Sequence, residues 1–94
     1  RAVWHLQRSL DEAGLRVDWP QQGDIVVMTR KGSYTDPRRA NFLAHGSPGH
    51  VGIMVGHTYE GILCIEGNIG DVIAERLHTY PPRRVLAFYR PPLV

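Results

Sequence analysis

Pro48-Gly49-His50-Val51-Gly52-Ile53-Met54-Val55-Gly56, read with Cys64-Ile65-Glu66-Gly67-Asn68, decides how the rest of this chain is arranged. On a strand successive side chains alternate between faces. His50, Gly52 and Met54 therefore share one face, and Val51, Ile53 and Val55 the other. Gly52 leaves the histidine face without a side chain beside His50, which lets another element, such as a helix bearing a nucleophile, come close. In the following strand Cys64, Glu66 and Asn68 fall on one face if the strand continues through Gly67. A hairpin closed through Gly56-His57-Thr58-Tyr59-Glu60-Gly61 brings His50 near Glu66 or Asn68, the pairing of a base with its orienting group.

Composition bounds the reading. The 94 residues are 43% hydrophobic and 21% charged, enough for one domain with a single core. No apolar run is long enough to span a bilayer as a helix. The formal charge is +2, but the basic residues are scattered, with only Arg38-Arg39 and Arg83-Arg84 adjacent. Without an aromatic and basic groove motif beside them, nucleic acid is not the expected partner. A single cysteine excludes an internal disulfide.

Outward from the central hairpin, Ala2 to Gly14 reads as a helix, with Val3, Leu6 and Leu10 at i, i+3, i+7, Trp4 and Ala13 beside that stripe, and Gly14 as its stop. Ile25 to Thr29 is apolar at consecutive positions until its end, the pattern of a central strand covered on both faces. Arg30 to Pro48 is rich in Gly, Ser, Asp and Pro and reads as a long surface loop, with a short helical turn around Arg38 to Ala44 and a role in shaping a groove. Asp71 to Glu75 and Val85 to Tyr89 read as the last strands, joined by the rigid Pro81-Pro82-Arg83-Arg84. The expected class is α+β: the N-terminal helix against a curved antiparallel sheet of about five strands.

The series Pro20-Gln21-Gln22-Gly23-Asp24-Ile25-Val26-Val27, then Gly49-His50-Val51-Gly52, then Glu66-Gly67-Asn68, then Arg84 to Pro91, resembles the C-terminal portion of a CHAP or NlpC/P60-type cysteine hydrolase, over roughly residues 17–91. The Glu-x-Asn pattern on the strand after the histidine favours the CHAP form. The resemblance implies a papain-like half-barrel, cleavage of amide bonds in peptidoglycan or its stem peptides, and a parent protein that is secreted, periplasmic or phage-encoded. Residue by residue, it implies catalytic roles for His50, Glu66 and Asn68, with His50 as general base. It also implies a cysteine opening a helix before the Gly-Asp strand, and none lies in Arg1 to Gly23. The nucleophile is therefore expected upstream of residue 1, and this chain alone is expected to be inactive.

The alternative is a non-catalytic, degenerate CHAP-like module that binds wall fragments or a protein partner. Loss of a covering helix would expose apolar surface such as Met54 and favour self-association or pairing with an N-terminal segment. Cys64 follows the histidine and sits in the apolar run Ile62-Leu63-Cys64-Ile65, where a small buried sulfhydryl is ordinary. Asp24 is placed to fix a turn. His5, His45, His57 and His78 show no paired ligand spacing, so neither a metal site nor a cofactor is expected.

Overall fold

A computed structural model describes residues 2–67, 72–79 and 83–92. It is an α+β arrangement of one helix, α1 (Val3–Glu12), and six strands: β1 (Arg16–Val17), β2 (Ile25–Met28), β3 (His50–Thr58), β4 (Gly61–Gly67), β5 (Ile73–Thr79) and β6 (Val85–Tyr89). The strands form one sheet in the order β1-β6-β2-β3-β4-β5, and every neighbouring pair is antiparallel. The sixth strand is β1, two residues paired with Tyr89 and Phe88 and too short to leave a period in the sequence.

The end of α1 follows from Gly14. Its φ of 73° is open to glycine at little cost, and its N–H donates to Asp11 O at 3.0 Å while Leu15 N–H reaches back to Leu10 O at 3.2 Å. Leu10 and Leu15 then pack together against the sheet. The helix differs from its expected stripe in one respect. Its only fully buried side chain is Gln7, on the line Val3-Gln7-Leu10, and Leu6 is only half-buried. Gln7 Nε2 donates to Asn41 O at 3.0 Å and to the Tyr89 hydroxyl at 3.2 Å, and Gln7 Oε1 accepts from Leu43 N–H at 2.8 Å. One amide thus fastens helix, loop and β6, with every polar atom in use.

The segment between β2 and β3 contains no helix; turns and an isolated bridge between Thr35 and Leu43 take its place. It is not wholly a surface loop. Phe42 and Leu43 are buried, and Leu43 joins Val27, Ala87 and Tyr89 under α1. Only its opening residues, Arg30 and Lys31, border a groove.

β2 is central, as its unbroken apolar run requires, with Val27 on the α1 side and Val26 and Met28 on the other. That second face buries Val26, Met28, Met54, Ile62 and Cys64, with Val85 and Phe88 packed on them. Met54 is 1% exposed, so the expected bare patch is not there: β3, β4 and β6 contribute enough apolar side chains to enclose it. Across the sheet, the partly exposed Ile53 and Ile65 stand opposite one another on β3 and β4.

Asp24 has the structural role its place suggested. Its carboxylate accepts from Gln21 N–H at 2.7 Å and, oxygen by oxygen, from Arg90 Nε and Nη2 at 2.9 Å each. The start of β2 is thereby locked to the end of β6.

Candidate active site

The β3–β4 hairpin forms as expected but is longer: the strands run to Thr58 and from Gly61, leaving only Tyr59 and Glu60 to turn. A register shift between Met54 and Gly56 leaves Val55 unopposed, and it lies beyond the site, so the face shared by His50, Gly52 and Met54 is intact. Gly52 stands opposite Glu66 on one side, and Ala74 stands opposite it on the other. Two small neighbours leave room over the sheet for the Glu66 carboxylate and for long side chains reaching it from further along β3 and β5.

This arrangement corrects the reading of Gly52. Its open space admits no second element, because Glu66 itself fills it: a Cβ at position 52 would stand 2.9 Å from Glu66 Cγ, 3.1 Å from Ile65 O and 3.2 Å from Met28 Cε.

His50 Nε2 lies 2.8 Å from Glu66 Oε1. A carboxylate can only accept, so Nε2 carries the hydrogen and Nδ1 is left with its lone pair. Glu66 is 4% exposed, against 31% for His50. The carboxylate is therefore a buried, fixed support, and the imidazole is the part solvent can reach. Asn68, the other candidate partner, lies outside the described residues.

The second oxygen of Glu66 is held by His78, whose Nε2 donates to Oε2. His78 was not among the expected site residues. Its strand was expected to end at Glu75, but β5 runs on to Thr79 and places Ala74, Arg76 and His78 on the Glu66 face. No apolar alternation runs from Ile73 to Thr79, so the place of His78 follows only from the pairing of β5 with β4. Arg76 Nε stands 3.8 Å from Oε1, a loose ion pair with an exposed guanidinium.

Above these residues opens a groove of about 690 Å³. Arg30, Lys31, Arg76 and Arg84 line it together with His50 and His78, and among the described residues Glu66 is the one carboxylate in its wall. Cys64 is on the same face but beneath it, fully buried. Burial pushes its thiol up to about 11, and the negative charge of Glu66 adds to the rise. It is a protonated core thiol and no nucleophile near neutral pH.

Comparison with family models, with curated proteins and with solved structures gives no match to this chain. The geometry therefore carries the functional argument. A histidine with one nitrogen anchored on a buried carboxylate and, among the described residues, no partner on the other is equipped to accept a proton from a neighbouring acid and to hold the resulting charge.

Proposed function

We propose that this chain is the histidine-bearing part of a peptidoglycan amide-bond hydrolase of the CHAP-like type, built on a papain-like half-barrel. His50 is its general base, and the nucleophilic cysteine comes from chain preceding residue 1. The observation that carries the reading is the His50–Glu66 contact of 2.8 Å at the wall of an open groove. Glu66 orients the ring and stabilises the imidazolium formed when Nδ1 takes the thiol proton; the thiolate then attacks the amide carbonyl.

The helix α1 lies on the Val27 face of the sheet, across from the face that carries His50 and Glu66. A Cβ at Gly49 would lie 3.1 Å from Val3 Cγ1, so the first turn of the helix packs against the residue next to His50. Ala2 caps that turn with no side-chain hydrogen bond. The cationic groove wall suits a substrate that carries carboxylates, as wall stem peptides do.

The test uses the protein extended through its upstream coding sequence, with release of amino groups from purified peptidoglycan as the assay. His50→Ala is expected to lower the rate by about 10²-fold or more with the fold retained, the loss typical of a general base. Activity retained in His50→Ala refutes the assignment. So does an upstream sequence with no cysteine opening a helix. Either result turns the interpretation toward a module that binds wall fragments without cleaving them.

A further inference from the structure

We propose that Cys64, Glu66 and His78 form a site for a thiophilic divalent cation of the zinc class. Cys64 and Glu66 are alternate residues of β4, so both side chains rise from the same face, and His78 projects from the adjacent strand onto that face. Their donor atoms, one sulfur, one carboxylate oxygen and one imidazole nitrogen, all lie within 4.8 Å of one another. Zinc bonds of about 2.0–2.3 Å put donors on a tetrahedral ion roughly 3.3–3.8 Å apart. To surround an ion, His78 and Glu66 must part from their hydrogen bond and the Cys64 sulfur must draw in, side-chain movements of an ångström or two by the zinc spacing, made on paired strands.

The donor set itself selects the ion. Thiolate and imidazole are poor ligands for Mg²⁺ and Ca²⁺ and good ones for Zn²⁺ and its neighbours. Access and support are also present. Glu66 and His78 border the groove, which supplies an entry path and water for the remaining coordination position. The site sits on two paired strands, β4 and β5, rather than on a loop, and rigid elements hold ligands best. On binding, Cys64 releases its thiol proton to solvent. His78 moves its ring proton from Nε2 to Nδ1, so that Nε2 turns from a donor to Glu66 into a ligand of the ion. His50 occupies the other oxygen of Glu66 and stands outside the set.

The experiment is a Co²⁺ titration of this chain, reduced beforehand, followed by displacement with Zn²⁺. Because Cys64 is the sole cysteine, a thiolate-to-cobalt charge-transfer band in the near ultraviolet can come from no other residue. One equivalent of Co²⁺ is expected to give that band, with intense visible bands of a four-coordinate ion, and one equivalent of Zn²⁺ to bleach them. Cys64→Ala should abolish the charge-transfer band. His78→Ala should weaken binding at least tenfold, and His50→Ala should leave the band in place. No saturable band in the unmodified chain overturns the site, as does full affinity in His78→Ala. If Cys64→Ala fails to fold by circular dichroism, His78→Ala and Glu66→Gln decide the matter. None of these readouts requires hydrolysis, so the site stands or falls apart from the role given to His50.

Discussion

Replacing Gln7 tests whether one buried amide fastens α1 to the sheet. Gln7→Met keeps the length of the side chain and removes its polar end. Leu43 N–H then loses its acceptor in a buried setting, and the Tyr89 hydroxyl and Asn41 O lose a donor. An unsatisfied buried donor costs about 1–3 kcal/mol, and each of the two further hydrogen bonds about 1 kcal/mol, so Gln7→Met should lose roughly 3–5 kcal/mol. Gln7→Ala adds a cavity and should lose more. Against a total of about 5–14 kcal/mol for a chain of this length, either change is severe. Urea unfolding gives the numbers, and amide exchange at Leu43 shows where the loss falls. If Gln7→Met unfolds within 0.5 kcal/mol of the unmodified chain, on the order of an ordinary surface substitution, the three bonds do not fasten α1 and the argument fails.

Two further outcomes follow from the site. Gly52→Ala puts a methyl 2.9 Å from Glu66 Cγ with the Ile65 carbonyl close behind it, so the carboxylate must move off His50; the expected cost is about 1–3 kcal/mol. Unchanged stability together with unchanged His50 imidazole resonances by NMR would contradict it. For Cys64, burial first and the Glu66 charge second raise the folded thiol from about 9 to about 11, so between those values the unfolded chain loses its proton while the folded chain keeps it. Stability should therefore fall as pH rises from 9 to 11, and by less in Cys64→Ala; equal slopes in the two proteins would refute the assignment, as would rapid reaction of native Cys64 with a thiol reagent at pH 8.

Much of the fold was legible because its signals are local. The unbroken apolar run at Ile25 to Met28 sufficed to make β2 central, Gly14 sufficed to end α1, and Val85 to Tyr89 matches β6 residue for residue. What was not legible depends on distant partners. Gln7 looks like a surface residue until Asn41, Leu43 and Tyr89 arrive from other parts of the chain to use all of its polar atoms. Phe42 and Leu43 look like loop residues for the same reason: Leu43 is buried by the underside of α1, and Phe42 lies against the guanidinium groups of Arg8 and Arg39.

At the site, alternation on two strands was enough to bring His50 to Glu66, since both partners lie in one hairpin and their faces follow from counting by two. It was not enough to show why the carboxylate is buried. That depends on β5, whose stretch Glu75-Arg76-Leu77-His78 carries three ionisable groups, two of them adjacent, and reads as a solvated edge. Once β5 pairs with β4, the small residues Gly52 and Ala74 on either side of Glu66 open a space that the long side chains of His50, His78 and, more loosely, Arg76 reach across. A carboxylate so enclosed cannot be left without donors, because water is largely excluded from it. His78 therefore does for the second oxygen what His50 does for the first. Removing His78 should disturb Glu66, and through it the ring of His50, even though His78 makes no contact with the proton that His50 is proposed to carry.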